Sequence, residues 1–197
     1  MKLNRMERWA VNNPLRPLQQ RLEIRWLERR CGLAPGGRIL EAGCGRGAGA
    51  ALIKQTFQPA VIHAVDLDVE MIRRAHAYLA PEVLKGIEFS VADCTWLPFR
   101  NGTMDAAFGF GVLHHIPDWR QALAEIARVL KPGGVYCFEE LYPPLYQNVL
   151  TRRILLHPAE NRFRSGDLQR ALRDAGLTPG DALENPWLGI LGFATKR

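Results

Sequence analysis

From Arg38 onward the chain alternates short apolar runs with longer amphipathic stretches, and this rhythm limits the fold more than any other feature of the sequence. Residues 38–42, 60–65, 87–91, 104–110 and 135–139 read as strands. Between them 48–57, 69–79 and 119–130 read as helices, the last stopped by Lys131-Pro132-Gly133-Gly134. A strand that returns parallel to its neighbour needs a crossover of a dozen or more residues, so the spacing predicts an α/β, Rossmann-like three-layer sandwich with a mostly parallel sheet. The tail differs: 145–156 and 166–175 read as helices, then 177–183 and 187–194 as strands joined by a turn at Glu184, Asn185 and Pro186. That connection is short enough for an antiparallel pair. Ahead of the sheet, Leu15, Leu18, Leu22 and Trp26 recur at helical spacing with Arg21 and Arg25 on the margin, and Gly32 and Pro35-Gly36-Gly37 end the helix. The expected division is a helical segment over 1–37, packing on or over the site, and one domain over 38–197.

A length of 197 residues suits one full core, and 47% apolar with 23% charged residues excludes disordered, collagenous and disulfide-framework chains. No uncharged apolar stretch approaches the roughly twenty residues of a membrane span, and the N-terminus lacks a secretory pattern, so a cytoplasmic location is expected. Cys31, Cys44, Cys94 and Cys137 form no CxxC and have no histidine at zinc spacing, so free thiols and no metal are expected. The net charge of +6 is uneven: residues 1–37 carry eight basic and three acidic side chains. Such a rim attracts nucleic acid, anionic membrane or acidic substrate, but it is more often a solvated face. Peripheral membrane contact through Arg21 and Arg25 is not expected, because the leucine stripe beside them reads as packing surface.

Open parallel sheets bind ligands in the crevice beyond the carboxyl ends of their strands. At those ends stand Glu41-Ala42-Gly43-Cys44-Gly45-Arg46-Gly47, then Asp66, then Asp93-Cys94, then Gly109-Phe110-Gly111 followed by His114-His115. Gly43, Gly45 and Gly47 let the backbone turn sharply and approach a ligand. Gly43-x-Gly45-x-x-Ala48 also fits the dinucleotide fingerprint, with Asp66 as its ribose acid, so the loop alone leaves a nicotinamide oxidoreductase open. Glu41 tilts the balance: a carboxylate two positions before the first glycine suits a cation, not a pyrophosphate. Asp93 offers an acceptor to an adenine amino group, and Cys94 and Leu67 offer it packing surface. A positively charged adenosine ligand fits these residues better.

The ordered set Glu41-x-Gly43-x-Gly45-x-Gly47, Asp66 in HAVDLD, Asp93 in VADCTWLPF, DAAFGFGVLHHIPD and Leu130-Lys131-Pro132-Gly133-Gly134 resembles the class I S-adenosylmethionine-dependent methyltransferases. Within them it is most similar to the small branch of ubiquinone and menaquinone biosynthesis. The resemblance covers about 36–140 well and the tail more loosely. It implies S-adenosylmethionine as cofactor and S-adenosylhomocysteine as product. Glu41 and the loop Gly43, Cys44, Gly45 and Gly47 would hold the methionine end, Asp66 the ribose, Asp93 with Cys94 the adenine, and Gly109 to Gly111 would line the sulfonium side. It also implies a seven-stranded sheet with an antiparallel last strand. The acceptor would be an O, N or C nucleophile of a small molecule, held between the N-terminal helix and residues 141–165. A catalytically silent cofactor-binding scaffold or partner subunit is the alternative, followed by an NAD-dependent oxidoreductase. Specific nucleic acid is not expected, since Gly109-Phe110-Gly111-Val112 stands where an Asn-Pro-Pro-aromatic motif would, and the chain is expected as monomer or homodimer.

Displacement at a sulfonium has a good leaving group, so such an enzyme mainly aligns donor and acceptor and excludes water. Where the acceptor must lose a proton, His114, His115, Glu139, Glu140 and Tyr142 are the candidate bases. Side chains alternate across a strand, so at most one of Glu139 and Glu140 points to a given face, though at the strand's mouth either could still enter the cleft; an ion pair of this acid pair with Arg152 or Arg153 is the competing reading. His157, Pro158 and Arg162 could reach over the substrate, but they read more readily as a surface loop. The N-terminal helix forms a lid over the cofactor with Trp9, Leu15 and Leu18 facing the acceptor, or else Leu18, Leu22 and Trp26 pack on the sheet's helices.

Overall fold

The computed structural model describes residues 16–146 and 161–197. A seven-stranded sheet runs through it in the order β3-β2-β1-β4-β5-β7-β6, made of β1 (Arg38–Ala42), β2 (Val61–Asp66), β3 (Ile87–Val91), β4 (Met104–Phe110), β5 (Leu130–Leu141), β6 (Leu177–Asn185) and β7 (Gly189–Lys196). The strands β1 to β5 pair parallel, and β7 pairs antiparallel with both β5 and β6. Helices α1 (Arg16–Glu28), α2 (Ala48–Phe57), α3 (Val69–Tyr78), α4 (Pro81–Leu84), α5 (Trp119–Val129), α6 (Pro143–Tyr146) and α7 (Ser165–Asp174) complete the described chain. The expected three-layer fold and antiparallel last strand are borne out.

Period-two alternation sorts the sheet residues into two cores. Ile39 of β1, Phe108 of β4 and Cys137 of β5 pack with Ile24 and Leu27 of α1 and Ile53 and Phe57 of α2. Their neighbours Leu40, Ala107, Tyr136 and Phe138 turn to the other face, against Trp119, Leu123 and Ile126 of α5 and Leu168 of α7. By the same alternation Glu41 and Glu139 continue the face under α1, while Glu140 continues the opposite one.

Three sequence expectations change. The Lys131-Pro132-Gly133-Gly134 stretch does not separate helix from strand: β5 begins at Leu130 and absorbs it as an irregularity, where the pairing with β4 jumps from Met104↔Leu130 to Ala106↔Val135. The turn between β6 and β7 falls after Asn185 rather than on Glu184. Finally, Leu18 and Leu22 do not pack on the sheet's helices; they are 58% and 61% exposed, and the buried face of α1 is Gln20, Glu23, Ile24 and Leu27. Ile24 and Leu27 bring two large apolar side chains to the core, and the polar pair beside them points to the cleft end. Most of the helix expected over 145–156 lies outside the described residues, as do Trp9, Leu15, Arg152, Arg153, His157 and Pro158.

Candidate functional site

The carboxyl ends of the strands are tied together by short hydrogen bonds. Cys44 N–H donates to the Val65 carbonyl at 2.9 Å and Ala92 N–H to the Asp66 carbonyl at 3.0 Å. The Asp66 carboxylate accepts from Gly45 N–H and from Asp68 N–H, each at 2.9 Å, which fastens the glycine loop to the tip of β2. Burial raises the Asp66 pKa, and the two backbone donors oppose that rise. The Asp93 carboxylate accepts from Thr95 N–H and its hydroxyl at 2.8 and 2.7 Å, forming a closed turn just past β3. Cys94 beside it is buried among apolar neighbours, which pushes its thiol up to about 12.

A cleft of about 440 Å³ opens where β1 runs into α2, lined by Arg16, Pro17 and Gln20 of α1, Glu41, the loop residues 43–46 and Phe110 among others. Gly43 has φ +68°, and a Cβ there would collide with the Val112 side chain at 2.6 Å, so the loop needs glycine on both counts. Gly49 in the first turn of α2 is needed for a different reason: its missing side chain leaves the space that Glu41 Oε1 occupies. Glu41 is buried, and its Oε2 has no hydrogen-bond partner among the described residues. Burial first and the charge of Asp66 second raise its pKa to about 8.

Above Glu41, α1 contributes a charged cluster. Arg16 Nη2 donates to Glu139 Oε2 at 2.7 Å and Nη1 to Glu23 Oε1 at 3.5 Å, while Gln19 Nε2 donates to the same Glu23 oxygen at 2.7 Å. Burial opposes the Arg16 charge, but Glu139 and Glu23 outweigh it and raise its pKa. Glu23 rises to about 7 because it is buried and faces Glu139. One arginine thus serves two carboxylates, while among the described residues no basic side chain forms an ion pair with Glu41, and an unmatched buried carboxylate favours a cationic guest.

On the other side of β5, Glu140 is fully buried and accepts from Val112, Leu113 and His114 N–H at 3.3, 2.8 and 3.2 Å. His114 Nδ1 donates to the same carboxylate at 2.7 Å, so this group pins the 3-10 turn Leu113–His115. His115 lies beside it with the rings tilted by 41° and their centroids 4.3 Å apart. Gly111 lies between the two acids: its N–H donates to the Glu139 carbonyl at 2.7 Å, and a Cβ there would touch His114, Glu139 and Arg16. Gly109, next to Ala42 across the sheet, leaves room for Tyr136 and Val112.

Of the residues singled out in the sequence, Glu41, Gly43, Cys44 and Gly45 line the cleft directly. Asp66 and Gly111 adjoin it through the contacts above, and Cys94 through the backbone of Gly43. Gly47 instead packs against Leu79 and Phe89, Leu67 is 40% exposed beyond β2, and Asp93 is exposed. Arg16, Gln20 and Glu23 were missed. Their signal was present: 16, 20, 23, 24 and 27 follow a helical spacing as regular as the leucine stripe, but polar at the end that meets the cleft.

Comparison with known proteins identifies the family. A family model described as a methyltransferase domain matches residues 40–138. A fatty-acid O-methyltransferase of Mycolicibacterium smegmatis is 36% identical over 145 residues, covering 72% of this chain and 44% of that protein. A phthiotriol/phenolphthiotriol dimycocerosates methyltransferase of Mycobacterium tuberculosis is 32% identical over 111 residues, 55% of this chain and 39% of that protein. The chain therefore spans less than half the length of these curated relatives. A S-adenosylmethionine-dependent methyltransferase from Aquifex aeolicus superposes with a TM-score of 0.77 at 19% identity, covering 100% of both chains. With the matched model running from the middle of β1 to β5, the chain belongs to the class I S-adenosylmethionine-dependent methyltransferase family.

Proposed function

We propose that this protein transfers a methyl group from S-adenosylmethionine to a nucleophilic atom of a lipid-like small molecule. The observation that carries the reading is Glu41: a buried carboxylate with an unbonded oxygen, lining a cleft whose glycine loop admits a close ligand. The residues fit the cofactor. Glu41 and the loop Gly43, Cys44 and Gly45 hold the cationic methionine end, Asp66 faces the ribose hydroxyls, and Leu67, Asp93 and Cys94 border the adenine. When bound, S-adenosylmethionine supplies a methyl on a cationic sulfur and leaves as S-adenosylhomocysteine. Gly109 and Gly111 line the sulfonium side and add no side chain of their own where Tyr136, Val112, His114 and Glu139 already close in, so donor and acceptor approach in line with water excluded.

Glu139, held by Arg16 beside Gly111, is the carboxylate best placed to take a proton from an O or N nucleophile. Glu140 and His114 position the turn that carries His115. The lipid-like acceptor is supported by the names of the two mycobacterial relatives, whose substrates are fatty acids and dimycocerosates, rather than by quinone-specific residues.

Calorimetric titration with S-adenosylmethionine tests the site. Binding is expected, weakened by about tenfold or more in Glu41→Gln and in Asp66→Ala, the loss of one hydrogen bond to a charged group. No binding, or affinity unchanged in both variants, overturns the reading. Transfer of labelled methyl to a panel of fatty acids and hydroxylated lipids then tests the acceptor; tight binding with no transfer favours the scaffold alternative.

A further inference from the structure

The outer face of α1 has a composition that packing does not explain. At 100° per residue, positions 18, 22 and 25 fall on one side of the helix axis and 20, 24 and 27 on the other, with Arg29 in the turn that follows. The inner side is buried in the core under the sheet. On the outer side stand Leu18 and Leu22, 58% and 61% exposed, among the exposed Arg21, Arg25 and Arg29. Glu28 is the one exposed acid of the helix. Two leucines between three arginines is the pattern of a helix that lies in a lipid–water interface, the apolar side chains entering the acyl boundary and the guanidinium groups meeting anionic headgroups.

A second apolar element stands at the same end of the sheet. Arg16, at the start of α1, bonds Glu139 near the end of β5; Glu139 pairs with Leu191, and Tyr142 N–H donates to the Leu188 carbonyl at 3.0 Å. The turn between β6 and β7 therefore projects past the edge where the cleft opens, and it exposes Trp187 by 72% and Leu188 by 52%. An exposed tryptophan is suited to the headgroup level, where its ring is half apolar and half polar.

We propose that this protein docks on an anionic lipid surface through Leu18, Leu22, Arg21, Arg25 and Arg29 of α1 and its extension, with Trp187 and Leu188 as a second anchor. Docking this way sets the cleft mouth, lined by Arg16, Pro17 and Gln20 of the same helix, against the bilayer from which a lipid-like acceptor is drawn; this part rests on the function proposed above. Charge complementarity selects anionic over neutral lipid. The leucines select lipid over nucleic acid, whose phosphates reward arginine alone.

Flotation of the full chain with phosphatidylcholine vesicles, with and without about 30% phosphatidylglycerol, is the test. Binding is expected to the anionic vesicles and to fall with added salt. The double variant Leu18→Gln/Leu22→Gln should weaken it by about tenfold or more, and the triple variant Arg21→Gln/Arg25→Gln/Arg29→Gln by on the order of a hundredfold. Both should keep the thermal melt and the S-adenosylmethionine affinity of the parent, since none of these side chains lines the cleft or the core. No flotation of the parent chain, or flotation indifferent to both variants, overturns the proposal. So does binding to duplex DNA that matches the vesicle affinity and depends on the arginines but not the leucines. Lost flotation with intact cofactor titration rejects the docking alone; the reverse result rejects the methyltransferase reading alone.

Discussion

Glu139 and Glu140 are adjacent in sequence and opposite in surroundings. The pleat sends Glu139 under α1 to meet Arg16 and sends Glu140 beneath the turn after β4, where four donors converge on it. Removing the second carboxylate leaves three backbone N–H groups and an imidazole without their acceptor in a buried place. Glu140→Ala should therefore destabilise the fold by roughly 3 kcal/mol or more, as read from the urea midpoint, each stranded donor costing about 1 kcal/mol or above. Glu139→Ala should move the midpoint less, because Arg16 keeps Glu23 within reach; its effect belongs to turnover. That the two acids face opposite ways was legible from strand periodicity. Which of them met the arginine was not, because Arg16 is 123 residues distant in the chain.

At the level of the element, α1 shows how two equally regular stripes compete for one core. The leucine stripe at 18 and 22 is the more hydrophobic by composition, yet Ile24 and Leu27 are buried and Gln20 and Glu23 lie with them. The reason is the partner surface: the sheet offers α1 an apolar seat at Ile39, Phe108 and Cys137 and a charged rim at Glu41 and Glu139. A helix crossing from rim to seat needs polar residues first and apolar ones after. Leu27→Ala should cost about 2–5 kcal/mol, the range for emptying a buried leucine site, whereas Leu22→Ala should stay within about 0.5 kcal/mol. Equal effects in the same denaturation series would mean that α1 packs by its other face.

For the whole molecule, the cost of gathering carboxylates at one edge appears as pH dependence. Glu23 and Glu41 have folded pKa values of about 7 and 8 against an ordinary 4.5. Across that window the folded chain holds more protons than the unfolded one, so their contribution is fullest below about pH 4.5 and is lost as pH rises through 7 and 8. His63, lowered by burial, acts in the opposite sense on the acid side. The cofactor-free protein should thus lose stability between about pH 6 and 8, and Glu41→Gln should flatten that loss. Binding a cation at Glu41 should also release a proton near neutral pH, seen as a dependence of the calorimetric enthalpy on the buffer's ionisation heat.

The sequence alone determined the alternation of strands and helices, the parallel sheet and the presentation of Glu41, the glycine loop, Asp66 and Asp93 at successive strand ends. These are local matters: side-chain period, turn chemistry and crossover length act within some ten residues. Only the tertiary structure decided which face of α1 turned inward, that the Lys131-Pro132-Gly133-Gly134 stretch joined β5 instead of separating it from the helix before, and that Arg16 closed over Glu139. Each of those depends on a partner far along the chain, and period alone cannot say which of two surfaces that partner will fit.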